Sequence, residues 1–375
     1  MNRKLTYAVA APVLAFLVAV AVSSLALLAI GESPVTAFRA MFSSIDSASS
    51  IINIINRAAP YYVMGLAVAL GFKMGLFNIG ADGQYRIGAL FAAAAGAAVT
   101  LPAPLHVLFV VLVAMVGAGA YAGIAGALKV TRGVNEVVST IMLNFFIATG
   151  ITAYLLAEHW RNKAVELQAE TKTLPRSGWL PSLNRAFTWI GYHLPRGVVL
   201  QGFVVVAVLA GIAFYFVVYR TRFGFDLRAT GANPRAALAS GVHPNAMIMK
   251  TIILSGAIAG LAGMGPLLSE LHKYGDTFPT ALGFTGISVA LLGRNHPAGI
   301  AVAAVVWAGI EQAARALPDV GIPQEIGRIL QGTLLLSAVI AFEVVRRYGL
   351  AAEVRDAAAK AEALDRRTRL GMATS

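Results

Sequence analysis

Long apolar runs broken by short polar and basic interruptions set the pattern of this chain. Residues 7–30 form the first run, long enough to cross a bilayer with some tilt. Residues 31–56 are mixed and Ser-rich. Further spanning runs cover about 57–72, 85–101, 105–128, 137–156, 198–219, 248–268 and 326–342. Between 283 and 310 the pattern breaks into GFTGISVALLG, then RNHP, then a second apolar piece, which predicts a broken or half helix. Two stretches stay polar for longer. One is 158–196, with Pro175, Pro181 and Pro195 and both charge signs; the other is 346–369, whose i,i+4 charge pairs predict a solvated helix.

Composition agrees with this pattern. The chain has 375 residues, is 58% hydrophobic and 13% charged, and has a mean hydropathy of +0.71. Soluble domains are about 25% charged, so an all-α polytopic membrane protein is expected. The net charge of +12 sits in short loops between apolar runs, which points to membrane topology and away from nucleic acid. Cysteine is absent, which removes disulfides, thiolate metal sites and a Cys nucleophile. Arg3 and Lys4 precede an apolar run too long for a signal peptide and with no Ala-x-Ala site, so an uncleaved first membrane helix is expected.

Ten crossings with both termini inside leave 19 Lys and Arg on the inner side, counting Lys73 and Arg86 there, and 11 outside. Under that topology the first five and second five spans are inverted copies. Each half carries a Gly-rich interruption between its second and third spans, LFNIGADG at 76–83 and LGFTGISV at 282–289. Interrupted helices at matched positions of inverted repeats point to a transporter's solute site. The expected domains are a transmembrane domain over 1–345, containing a basic segment at 220–242 and an outer loop at 158–196, and an inner charged tail over 346–375.

Several polar groups fall where lipid would not accept them. FNIGADGQ carries Asn78 and Gln84, amides that offer both donor and acceptor and so suit a neutral polar solute; a helix break that merely stabilises the fold is the other reading. Asp82 has three readings: partner to a cation, helix cap, or loop residue. NEVVSTIMLN begins a span. Glu136 there suits the helix macrodipole, and Asn144, deeper in, needs a partner in the bundle or in the pathway. His296 reads as a loop residue, and Glu311 and Gln312 either face an outer vestibule or mark the end of a span.

Residues 221–241, TRFGFDLRATGANPRAALASG, are basic and bear helix punctuation. Asn233 suits an N-cap, Pro234 the first turn and Gly241 the position just past the end, so about seven residues should form a short free-standing helix. Arg220, Arg222, Arg228 and Arg235 place it on the inner face, either as a knob for a soluble partner or as an ordinary basic loop. No G-x-x-x-x-G-K-[ST], H-E-x-x-H or G-x-S-x-G run occurs, so neither a P-loop nor a familiar catalytic constellation is encoded.

At these residues the chain resembles the permease subunits of bacterial ABC importers of the branched-chain amino acid, ribose and nucleoside group. Residues 220–242 resemble that family's coupling segment, usually R-T-x-F-G, G-x-N and A-A-x-x-x-G-I. FNIGADGQ, NEVVSTIMLN and GFTGISVALLGRNHPAGI look most like its nucleoside (basic-membrane-protein-associated) branch. The resemblance covers most of 51–341 and implies a fold of about ten helices in two inverted repeats, like type II importers, in the bacterial cell membrane. It implies no enzyme activity and no cofactor on this chain, with ATP and Mg on separate ABC ATP-binding subunits. Also implied are a second, non-identical permease subunit and an extracytoplasmic substrate-binding protein or lipoprotein. Carried over by position, Asn233, Pro234, Arg235, Ala236, Ala237 and Gly241 would dock on the ATPase. Asn78, Gln84, Asn144, Thr285 and Ser288 would line the pathway. Nucleosides are the expected solute; a simple-sugar permease and an ion-coupled secondary transporter are the alternatives.

Overall fold

A computed structural model describes residues 3–165, 168–189, 191, 194–344 and 347. Most of the tail expected over 346–375 therefore lies outside the described residues. Among the described residues the fold is helical, with two isolated β-bridges and no extended strand. Besides short helical turns at Arg176–Gly178, Asn184–Trp189 and Pro318–Val320, the helices are α1 (Arg3–Ala29), α2 (Pro34–Ser43), α3 (Ala48–Lys73), α4 (Ala81–Ala98) and α5 (Ala103–Arg132). There follow α6 (Glu136–Trp160), α7 (Phe203–Arg220), α8 (Arg222–Ala232), α9 (Pro234–Ala239) and α10 (Pro244–Leu271). The last three are α11 (Leu282–Leu292), α12 (Pro297–Ala314) and α13 (Glu325–Val344). Six of the described helices are long and apolar enough to cross a membrane: α5, α6, α7, α10, a helix that includes α12, and α13. The chain is a multi-pass membrane protein.

Two compact units are present, one of residues 1–41 with 314–375 and one of Phe42–Ala313. The first contains α1, most of α2 and α13, and buries Ala15, Ala19, Leu27, Leu334 and Ala338. The second contains the remaining helices and every site discussed below.

In the second unit α3 and α4 are less apolar than α5, α7 and α11 and more enclosed. From Val63 to Gly71 every residue of α3 is buried, and α4 is buried over most of its length. Both therefore meet protein rather than lipid. Small residues make this possible. Along the seam between α5 and α10, a Cβ on Gly256 would fall 2.8 Å from the Ala118 carbonyl oxygen, so the backbones touch.

One end of this unit is basic. The Lys73 ammonium, at the end of α3, and the Arg228 guanidinium, on α8, lie 5.4 and 5.3 Å from the centre of the Tyr219 ring on α7, with the His296 ring 5.9 Å away. The opposite end carries 161–165, 168–180 and the turn after α10. There Thr171 donates from its backbone to Tyr274, and Lys273 pairs with Glu170 at 2.5 Å.

With 28 residues, α10 runs about 42 Å from the basic end to the loop end. The chain then turns back. Residues 272–281 form no helix, and α11 begins at Leu282 with only 11 residues, about 16 Å, ending at the basic end. The half helix expected from the broken pattern at 283–293 is thus present, and its start lies about half-way across. It begins where α4 begins. Ala281, at φ 63°, has no side-chain oxygen to cap α11, and Asp82 of α4 supplies one: its Oδ1 accepts the Gly283 N–H at 3.0 Å. Of the three readings of Asp82, the structure realises the cap, supplied from another helix. A Cβ on Gly283 would collide with the Asp82 backbone, so only glycine permits the approach. The two Gly-rich interruptions therefore pack directly on each other.

Candidate functional site

The polar groups of the first interruption bond to one another. Asn78 Nδ2 donates to Gln84 Oε1 and Gln84 Nε2 to Asn78 Oδ1, both at 2.9 Å. Asn78 Nδ2 also lies 3.0 Å from Ser255 Oγ on α10, and that hydroxyl donates to the Ala67 carbonyl of α3 at 2.8 Å. Both amides are buried. A solute reaching either would have to displace these bonds, and the closed ring links α3, α4 and α10.

Asn144 lies on α6 where the helix loosens into a π turn over Leu143–Ala148. Its side chain is 4% exposed, and its Oδ1 would stand 3.0 Å from a Cβ on Gly83. The break in FNIGADG thus lets α6 approach α4 closely. Thr285 and Ser288 are on α11, one turn apart and half-buried. Ser288 Oγ donates to the Phe284 carbonyl at 3.1 Å, which leaves its lone pairs free. Phe284 faces Phe145 of α6 with ring centres 5.9 Å apart, and both rings keep exposed area. The five predicted pathway residues therefore fall into three places: a buried amide pair, a buried amide against α4, and two half-exposed hydroxyls on α11. All three places adjoin the paired starts of α4 and α11.

The short helix predicted at 233–241 forms as α9. Asn233 Oδ1 accepts from the backbone N–H of Arg235 and of Ala236, both at 3.1 Å, Pro234 occupies the first turn, and Gly241 follows at φ 83°. Arg235 and Ala236 are exposed while Ala237 is buried, so the helix is held on one side and offers the other. The sequence reading missed that α9 stands on a second helix, α8, capped by Thr221 at Gly224 N with 3.2 Å. Thr221 just before a run of helix-compatible residues was the available signal.

Other contacts join distant parts of the chain. Lys129 pairs with Glu136 at 2.6 Å across the α5–α6 turn, so Glu136 holds a partner as well as suiting the helix start. Arg57 of α3 pairs with Glu311 of α12 at 2.6 Å, and the Tyr61 hydroxyl donates to the same carboxylate at 2.5 Å. Glu311 is thus committed to a bond between helices. His296 Nδ1 accepts from Ala298 N at 3.3 Å and caps α12. Arg86, counted above with the inner charges, lies beside Tyr274 of the turn after α10. Its place reflects the fold of α4 against 272–281, which hydropathy along the chain does not register.

A family model described as branched-chain amino acid transport system / permease component matches residues 50–339. The chain belongs to this permease family. It is similar to the guanosine ABC transporter permease protein NupP of Bacillus subtilis, 32% identical over 339 residues, covering 89% of this chain and 93% of that relative. The glucose ABC transporter permease protein TsgB13 of Haloferax volcanii is 32% identical, with 94% of this chain and 93% of the relative covered. The nucleoside ABC transporter permease protein NupB of Lactococcus lactis is 28% identical over 91% of this chain and 93% of its own length. No solved structure matches significantly. This permease is a membrane subunit of the ABC type, a class of subunit that is not itself an enzyme.

Proposed function

We propose that this chain forms part of the passage through which an ATP-driven importer carries nucleosides into the cell, with ATP and Mg handled by separate ABC ATP-binding subunits. The observation that carries the solute assignment is the 32% identity to a guanosine permease along nearly the whole of both chains. Simple sugars form the second reading, favoured by the equal identity to a glucose permease. An ion-coupled mechanism would call for free ionisable groups deep in the spans. Lys129 and Glu136 stand at helix ends and pair there, and Arg57 and Glu311 pair with each other, so neither pair supplies one.

In this reading α1, α3, α4, α5, α6, α7, α10, α11, α12 and α13 are the ten passes of two inverted repeats. The basic end faces the cytoplasm with both termini, and α9 is the handle on which the ATPase pulls. With Arg86 moved to the loop side, 18 Lys and Arg remain inside against 12 outside, so the inner excess persists. Asn78 and Gln84 brace the passage, while Asn144, Thr285 and Ser288 border it. A second, non-identical permease completes the passage, and an extracytoplasmic binding protein or lipoprotein delivers solute to the loop end. ATP binding then shifts a two-state equilibrium by moving α9 as a rigid lever, and the passage changes the side on which it opens.

Uptake of radiolabelled nucleosides and of ribose by a strain with and without this chain tests the solute assignment; loss of ribose uptake alone would transfer it to sugars. Ala236→Glu, on the exposed side of α9, is expected to abolish uptake while the chain inserts at its normal level. Normal uptake by that variant removes the handle role.

A further inference from the structure

Nothing above assigns a role to a recess of about 200 Å³ at the loop side of the second unit. Arg86, Thr152, Tyr274, Asp276, Phe278 and Thr280 are among the residues that line it. Its wall is the non-helical stretch 272–281, which runs inward from the end of α10 to the start of α11, about half-way along the unit. Irregular backbone at that depth is stable only against protein or against water. Here it meets both. Tyr274 and Phe278 are buried with rings 4.8 Å apart, the Tyr85 hydroxyl donates to the Pro279 carbonyl, and Asp276 and Thr280 are exposed.

The lining chemistry is specific. Arg86, a five-donor cation whose guanidinium has the Tyr274 hydroxyl for a partner, and Asp276, an exposed acceptor-only anion, form no salt bridge among the described residues. A ligand made of hydroxyl groups satisfies both, accepting from the guanidinium and donating to the carboxylate. The Thr280 hydroxyl adds a neutral partner of either sense. Pockets for drug-sized ligands measure about 300–1,000 Å³, so this smaller space suits one sugar ring and not a whole purine nucleoside.

We propose that the recess is a holding subsite for the sugar ring of the solute, entered from the loop end before the solute passes the paired starts of α4 and α11. The assignment rests on the nucleoside or sugar reading of the permease and narrows it. A common sugar-ring subsite would also serve nucleosides and simple sugars alike.

The chain has no cysteine, so a single Thr280→Cys in the complete transporter reports on the recess directly. In native membranes, 10 mM uridine or D-ribose is expected to slow alkylation of that thiol at least threefold, and uracil or leucine is expected to leave it unchanged. Adding Asp276→Ala, which removes the acceptor altogether, should abolish the protection while the unprotected alkylation rate stays within twofold, which separates lost binding from lost folding. Equal alkylation with and without uridine and ribose, in membranes whose transporter imports nucleoside, overturns the subsite and leaves the permease reading standing. Protection by leucine, whose two charges would also fit Arg86 and Asp276, or by uracil without ribose, overturns the sugar assignment. A transporter that imports neither nucleoside nor sugar removes the parent reading, and this one with it.

Discussion

The two Gly-rich interruptions look alike in sequence and meet in space, yet their polar groups are treated in opposite ways. In 76–84 the amides of Asn78 and Gln84 are buried and saturated by each other and by Ser255. In 282–289 the hydroxyls of Thr285 and Ser288 are half-buried, and Ser288 is bonded only to its own helix. A break at membrane depth thus supports two different uses. The first fixes three helices to one another, and the second leaves hydrogen-bonding capacity facing open space. The difference follows from position: α4 is wrapped by α5, α6 and α10, whereas α11 is a half helix flanked by an irregular stretch.

The contact between the two stretches is the most sensitive point. Gly283→Val would drive a branched side chain into the Asp82 backbone, and overpacking of this kind costs about 1–3 kcal/mol or more. Membrane accumulation of that variant should fall several-fold. Gly309→Ala, where a Cβ meets nothing, should accumulate normally, because alanine is favoured in a helix. Equal accumulation of both variants would break the claim that the interruptions are pinned together.

Next in size is the amide ring. Asn78→Leu leaves Gln84 buried without its partner, a loss of about 1–3 kcal/mol, and should lower the melting temperature in detergent. Asp82→Ala removes the cap on α11 at a cost of about 0.5–2 kcal/mol, with Asp82→Asn less harmful because its Oδ1 can still accept from Gly283. Smallest in stability, and sharpest for the comparison, is the pair Thr285→Val with Ser288→Ala. These changes should leave stability within about 0.5 kcal/mol of wild type while reducing uptake. A melting loss as large as that of Asn78→Leu would make the two stretches equivalent.

Local rules made the short helix α9 legible. Asn233, Pro234 and Gly241 carry their own cap, first-turn and left-handed preferences, and the structure places each accordingly. The half helix at 283–293 was legible because its apolar run is too short for a bilayer. The recess was not, because Arg86, Thr152 and Asp276 come from three elements that only the turn after α10 brings together. Arg86 follows a polar run that hydropathy assigns to an inner loop, and its neighbour Tyr274 is 188 residues away in the chain. The Arg57–Glu311 pair escaped for the same reason, since either residue alone reads as the end of a span.

Solute uptake by proteoliposomes containing this chain with the second permease, ATP-binding subunits and binding protein proposed for it tests the central claim most directly. Labelled nucleoside should accumulate only when ATP and Mg reach the ATP-binding subunits, and should stop when those subunits are left out. Accumulation at an undiminished rate without them would show that this chain moves solute by a mechanism of its own.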